Sequence, residues 1–213
     1  MKIGILGTGE VSQSLGNGFI ASGHDVMLGS RDPNSDKVKA WKGSNGPRAS
    51  SGSSEQAAKF GEVIVVATVW SGTENALRLA VPTNLEGKIV IDATNPLVFE
   101  EGKPVHLALG FNDSGGEQVQ RWLPGARVVK CFNIVGHQHM FRPQFAGGPP
   151  DMFIAGNNDA AKKTVTQILS DFGWPAIDIG DISGARLLEP LCILWVYAGM
   201  SLENWHIAFK LLR

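Results

Sequence analysis

Charged side chains are scarce in this sequence. Asp, Glu, Lys and Arg make up 18% of its 213 residues, which is below the usual quarter. Nineteen basic residues face twenty acidic ones, for a formal net charge of −1, so the chain lacks the overall basic character of a nucleic-acid-binding protein. Because 43% of the residues are apolar, the composition also excludes disorder as the main state. The length fits about one domain, or one domain with an appendage.

Cysteines and long apolar runs are equally scarce. Cys131 and Cys192 lie in apolar stretches, cannot form a disulfide framework, and are predicted to be buried thiols. The longest apolar run near the end, residues 191–200, has half the length of a membrane span. The first residues, MKIGILGTGE, reach glycine and polar residues too early for a signal peptide. We therefore expect a cytoplasmic protein with neither a membrane nor a nucleic acid as partner.

Metal-ligand spacings are also lacking. No Cys/His cluster has the spacing of a zinc site, and His137-Gln138-His139 is the nearest approach to one. We expect no bound metal ion.

Glycine is abundant, with 26 residues, and short apolar runs alternate with segments of helical periodicity. This alternation predicts an α/β fold built on a Rossmann-type, doubly wound parallel sheet. Six strands are expected at 2–6, 25–29, near 49, 63–68, 89–93 and 128–132. Helices are expected at 11–21, 54–60 with Ser54 as cap, 73–81 and, more weakly, 115–123, with a helical turn at 37–42.

After residue 136 the pattern changes, which predicts a Rossmann-type domain at 1–136 and a small C-terminal α/β extension at 137–213. The extension should contain strands at 152–155 and 176–179 and a helix at 159–172. A very apolar helix should follow at 185–199, with Pro190 kinking or breaking it. Ser201 is expected to cap a last amphipathic helix, whose apolar stripe comprises Leu202, Trp205, Phe209 and Leu212.

A glycine motif joins the first strand to the first helix. Gly7 and Gly9 permit a tight turn and let a pyrophosphate approach the backbone amides at the helix N-terminus. The third position of this dinucleotide-binding fingerprint is Ser12, which is small enough for close packing of helix on strand. Glu10 is unexpected, because its carboxylate would compete with the phosphates for the positive end of the helix dipole.

The end of the second strand predicts the cofactor. Ser30 and Arg31 stand where an NAD-binding fold has an acidic residue, and a guanidinium there suits the 2′-phosphate of NADP. Lys37 and Lys39 could add to that pocket. Asp32 is the competing candidate and would favour NAD.

The later strand ends should line the crevice of such a fold. Asn95 and Asn133 can orient an amide-bearing ring, Pro96 and Val135 can form apolar walls, and Trp70 is either a crevice residue or part of the core. His137 and His139 are the only evident titratable groups near the crevice, although a loop histidine is more often solvated than catalytic. We therefore assign no catalytic residue with certainty and keep His137 as the one candidate.

Three segments, GTGEVSQSLGNGFIASGHDVMLGSRDP, VIDATNPL and VVKCFNIVG, resemble the NADPH-dependent deazaflavin (coenzyme F420) reductase family, and SGARLLEPLCILWVYAGM resembles its C-terminal helix. The resemblance implies a Rossmann domain and a small C-terminal domain, with the acceptor bound between them. It implies further that the NADP phosphates and ribose are held by Thr8, Gly9, Glu10, Val11, Ser30 and Arg31. Thr68, Val69 and Asn95 would follow along the cofactor, and residues 133–137 would lie near the nicotinamide. Glu10 and Ser12 depart from the family pattern.

The sequence thus predicts an NADP-dependent oxidoreductase that moves hydride between NADP(H) and a deazaflavin (F420) or flavin (FMN or FAD). These residues alone do not assign the acceptor, and three alternatives stay open: a flavin-linked ferric reductase, a small imine or keto-acid reductase, and a non-catalytic NADPH-sensing module. No Lys/Asp general-acid arrangement is evident. The apolar residues of 185–200 would either cover the acceptor or form the interface of a homodimer.

Overall fold

The computed structural model describes residues 1–212. Ten strands are formed within them: β1 (Lys2–Leu6), β2 (Asp25–Gly29), β3 (Ala49–Gly52), β4 (Val63–Val66), β5 (Ile89–Asp92), β6 (Leu97–Val98), β7 (His106–Leu107), β8 (Arg127–Lys130), β9 (Met152–Gly156) and β10 (Ala176–Asp178). Eight of them form one sheet in the order β10-β9-β8-β5-β4-β1-β2-β3, and β6 and β7 form a separate antiparallel pair. That pair was not predicted from the sequence, since two-residue strands carry no periodicity.

Neighbouring strands of the large sheet are parallel except β8 and β9. Six neighbouring strands, β8-β5-β4-β1-β2-β3, follow the order of a dinucleotide-binding sheet. The strand order reverses its direction between β1 and β4. The predicted Rossmann-type fold is confirmed.

Seven α-helices of the described chain flank the sheet: α1 (Glu10–Ala21), α2 (Asp36–Asn45), α3 (Ser54–Phe60), α4 (Trp70–Ala80), α5 (Gly115–Trp122), α6 (Asp159–Asp171) and α7 (Ala185–Ser201). The cap of α3 is Ser53 rather than Ser54, because the Ser53 side chain accepts from the Gln56 amide while Gln56 bonds back to Ser53 in a capping box. Helix α4 begins three residues before the predicted start, at Trp70.

The central strands are buried on both faces, as expected for a parallel sheet covered by helices. One apolar cluster includes Phe19, Phe132 and Phe172, and a second cluster includes Leu77 and Val119. Cys131 and Cys192 are free and buried, as predicted.

The C-terminal strands extend the same sheet. β9 pairs with β8 in antiparallel register, and β10 pairs with β9 in parallel register. The division of the chain at residues 136 and 137 stays a prediction.

The predicted last helix is wrong. Helix α7 continues to Ser201, so this serine ends a helix instead of capping a new one, and residues 204–212 form no regular secondary structure. Backbone carbonyls of this segment accept hydrogen bonds from other parts of the chain instead of from a helix. The Trp195 indole donates to the Ile207 carbonyl at 2.8 Å, and the Asp151 amide donates to the Phe209 carbonyl at 3.0 Å. An early break at Pro190 is also wrong, because α7 runs through it with the proline ring exposed.

None of the helices within residues 1–212 combines the length and the apolar character needed to cross a membrane. Over the same residues, no group of three or more His, Cys, Asp and Glu side chains is arranged to hold a metal ion.

Candidate dinucleotide-binding crevice

The carboxyl ends of five strands lie in register along one edge of the sheet. Leu6 pairs with Gly29 on one side and with Val66 on the other. Val66 then pairs with Asp92, and Asp92 with Lys130. The segments that follow these residues therefore meet at the point where the strand order reverses, which is where open α/β sheets bind their ligands.

The glycine loop after β1 has two different requirements. Gly7 has a φ of +128°, and a Cβ there would lie 2.4 Å from the Ala67 carbonyl oxygen, so only glycine fits. Gly9 has an ordinary φ of −70°, and a Cβ added to it would have no atom within 4 Å. The space beside Gly9 is thus open on the crevice side, which fits a cradle for a pyrophosphate.

Ser12 fulfils the role predicted for the third position of the motif. It is fully buried, and its hydroxyl donates to the Ala67 carbonyl at 3.0 Å. This bond ties α1 to the end of β4. The serine thus permits close packing and adds a hydrogen bond that glycine or alanine would lack.

The N-terminus of α1 points its free amides at the crevice. Gly9 is the N-cap and supplies no side-chain bond to the first turn, so these donors are available to an anion. Glu10 is turned to a neighbour instead: its Oε2 lies 3.3 Å from Nε2 of His137, whose Nδ1 lies 3.2 Å from the Ser14 hydroxyl. His137 therefore links α1 to the segment after β8.

At the end of β2, the structure distinguishes between Asp32, which would favour NAD, and Arg31, which would favour NADP. Oδ1 of Asp32 accepts from the Asn34 amide, and the Asp32 amide donates to the Ser30 hydroxyl, so Asp32 is used by its own turn. The Arg31 side chain is exposed and makes no ion pair or hydrogen bond with any residue of 1–212. Lys37 is also exposed, on the first turn of α2, while Lys39 lies 3.9 Å from Asp36.

The two predicted asparagines form a reciprocal pair. The Asn95 side-chain amide donates to the Asn133 carbonyl at 2.8 Å, and Asn133 Nδ2 donates to Asn95 Oδ1 at 2.9 Å. Asn133 Nδ2 also donates to the Leu188 carbonyl of α7. Asn133 Oδ1 is buried without a partner among residues 1–212, which leaves one acceptor for a donor such as a carboxamide.

The remaining predicted site residues differ in exposure. Thr8 and Val11 are half-buried beside the glycine loop, and Val69 is exposed at the N-cap of α4, whereas Pro96 and Val135 are buried. The half-buried Thr68 hydroxyl is bonded to that of Thr73 at 2.9 Å. Trp70 stacks on Trp122, with ring centroids 5.5 Å apart, which favours the structural role for Trp70.

Helix α7 forms a wall beside the segment after β8. The ring of Trp195 is so close to Gly136 that a Cβ there would lie 3.3 Å from it. Trp195 also packs on Trp205, with centroids 5.3 Å apart. An aromatic surface thus adjoins residues 133–137, where the resemblance puts the nicotinamide.

One group of charged residues was missed by sequence reasoning. Lys130 Nζ lies 3.0 Å from Asp92 Oδ2 and 2.8 Å from Glu189 Oε1, and all three side chains are buried. The described chain therefore contains a Lys/Asp pair, although its lysine has no exposed surface. The available signal was a charged residue ending each of two apolar strands, in IVID and RVVK.

Burial alone would lower the pKa of Lys130, but Asp92 and Glu189 outweigh it and raise that pKa above its ordinary value. The lysine is thus held as an ammonium ion. The pKa of His139 is lowered by burial and by the charges of His206 and His137.

The strand order, the open glycine loop and the exposed arginine at the end of β2 define a dinucleotide-binding domain. The family model described as "NADP oxidoreductase coenzyme F420-dependent" matches residues 2–96. A solved structure from Arthrobacter sp. FB24, for which F420-dependent NADP reductase activity has been suggested, has a TM-score of 0.94 and 36% identity over 100% of both chains.

Two further relatives are similar in sequence. The F420-dependent NADP reductase of Methanothermobacter marburgensis is 27% identical over 92% of this chain and 91% of its own. Metalloreductase STEAP3 of Rattus norvegicus is 30% identical over 89% of this chain, which spans only 36% of that longer protein. The chain belongs to the F420-dependent NADP oxidoreductase family, which agrees with the predicted class, an NADP-dependent oxidoreductase.

Proposed function

We propose that this chain transfers hydride between NADP(H) and the ring of a deazaflavin (coenzyme F420) or of a flavin (FMN or FAD). The observation that carries the proposal is the position of α7, whose Trp195 adjoins the segment that follows the Asn95–Asn133 pair. Two flat rings can meet face to face beside such a wall. When bound, NADPH supplies the hydride from C4 of its nicotinamide, and the acceptor ring receives it.

The chain contributes binding and orientation. The amides after Gly9 and the guanidinium of Arg31 suit the pyrophosphate and the 2′-phosphate, since both are donors without a protein acceptor in the described chain. The unpartnered Oδ1 of Asn133 suits the carboxamide of the nicotinamide. The glycine loop, the arginine and the asparagine pair therefore suit the pyrophosphate, the 2′-phosphate and the carboxamide of NADP(H).

No residue of the crevice needs to act as general acid or base in this reaction. Lys130 is fully buried and reaches neither ring. His137 is bonded to Glu10 and Ser14, and we assign it the role of holding α1 against the segment after β8. Positioning of the two rings and exclusion of water supply the catalysis.

Flavin-linked reduction of a metal ion is the second candidate, favoured by the 30% identity to a metalloreductase. The test is anaerobic NADPH oxidation by purified protein, with deazaflavin, FMN, FAD, a small cyclic imine and a ferric chelate offered separately and the chelate also with FMN. Turnover with deazaflavin or flavin supports the proposal. Turnover with the imine alone, or NADPH binding without turnover, contradicts it.

We further propose that two copies associate through α7. One face of this helix exposes the large side chains of Leu187, Leu194 and Tyr197, and an exposed apolar patch of this kind marks an interaction site. Sedimentation equilibrium should give a homodimer for the wild type and a monomer for Leu194→Glu. A wild-type monomer at micromolar concentration would contradict this proposal.

A further inference from the structure

The buried group around Lys130 uses every donor of its ammonium. Lys130 Nζ donates to the Thr94 carbonyl at 2.6 Å and contacts Asp92 and Glu189 at 3.0 and 2.8 Å. Asp92 Oδ1 accepts from both the amide and the hydroxyl of Thr94. The lysine therefore joins the end of β5, the end of β8 and α7 at one point.

The excess negative charge of the group is met by a helix N-terminus. One ammonium faces two carboxylates, and the Glu189 oxygens accept from the amides of Gly115 and Gly116 at 2.9 and 3.0 Å. These are the first residues of α5, where an anion is stabilised. The group is thus fully bonded, as a buried ion pair requires.

The group is connected to the asparagine pair through neighbouring residues of the chain. Thr94, whose carbonyl Lys130 holds, directly precedes Asn95, and Glu189 directly follows Leu188, whose carbonyl accepts from Asn133. Asn95 therefore follows a residue that Lys130 contacts, and Asn133 is hydrogen-bonded to the residue that precedes another.

We propose that Lys130 is a positioning residue that holds Asn95 and Asn133 in the orientation that binds the nicotinamide end of NADP(H). This inference rests on the proposed function. Lys130 does not contact the cofactor itself, because its side chain has no exposed surface and no free donor. Its removal should loosen the nicotinamide end of the cofactor and leave the adenosine end untouched.

The experiment compares the dissociation constants of NADPH and of 2′,5′-ADP, a fragment without nicotinamide, by calorimetry. Lys130→Met should raise the dissociation constant of NADPH at least about tenfold and change that of 2′,5′-ADP less than about twofold. Arg31→Ala should weaken both ligands. Lys88→Met is the matched control. Lys88 donates a hydrogen bond to the Ala58 carbonyl and directly precedes β5, so it lies at the opposite end of the strands from the crevice. This variant should change neither dissociation constant.

If Lys130→Met weakens the binding of both ligands by the same factor, or weakens the binding of neither, the inference is overturned while the proposed function is left intact. If Lys130→Met does not fold, Glu189→Gln decides in its place, because it keeps the shape and removes the charge. A wild type that binds both ligands equally tightly would overturn the proposed nicotinamide site itself, and this inference with it. The result does not depend on which acceptor is used.

Discussion

Replacing Arg31 with Ala tests the cofactor preference most sharply. The guanidinium is exposed and makes no bond within residues 1–212, so its removal should not destabilise the fold. A hydrogen bond to a charged group contributes about 1.5–3 kcal/mol. Solvent screening at an exposed position reduces this to about 1–2 kcal/mol, which corresponds to roughly 5–30-fold in the dissociation constant of NADPH.

The assay is fluorescence titration with NADPH and with NADH. Binding of NADH, which has no 2′-phosphate, should change less than about twofold. Higher salt should narrow the wild-type preference for NADPH, because exposed charges are screened. Arg48→Ala is the control for net charge, since Arg48 bonds the Gly23 carbonyl before β2 begins, at the other edge of the sheet. Equal losses for NADPH and NADH would refute the assignment of Arg31.

Three further changes have distinct expected results. Gly9→Val should lower the melting temperature less than Gly7→Ala, because a Cβ at position 9 has no atom within 4 Å whereas a Cβ at position 7 would lie 2.4 Å from the Ala67 carbonyl oxygen. Gly9→Val should also weaken the binding of NADPH at least about tenfold, and an unchanged affinity would refute the phosphate cradle. The pKa of His139 is lowered by burial and by His206, so its contribution to stability is complete above about pH 6.5 and is lost as the pH falls through the lowered pKa. His139→Gln should therefore flatten the fall of melting temperature with acidification, and parallel curves would contradict this. His137→Ala should change the rate of NADPH oxidation less than about tenfold, whereas a thousandfold loss would identify a proton donor.

The sequence predicted those features that local pattern controls. The apolar runs Val63–Val66 and Ile89–Asp92 are strands, because unbroken β-branched runs suit a sheet buried on both faces. The glycine loop and the arginine at the end of β2 could be identified because the Rossmann arrangement places them at fixed points of the chain. Their surroundings, such as the turn that occupies Asp32, required the structure.

Features that depend on distant contacts were not predictable in this way. The amphipathic pattern after Ser201 indicated a helix, but bonds to Trp195 and Asp151 hold that segment without one. Lys130, Asp92 and Glu189 are far apart in the chain and meet only when β5, β8 and α7 pack. A single charge at a strand end gives no indication of such partners.

Direct hydride transfer to the acceptor ring can be followed with NADPH that carries two deuterium atoms at C4 of the nicotinamide and a deazaflavin as acceptor. Deazaflavin has carbon at ring position 5, so a transferred deuterium is retained there and can be observed by NMR. We expect deuterium at that carbon of the reduced acceptor and none released to water. Label found in the solvent, or NADPH consumption without reduction of the ring, would contradict direct transfer.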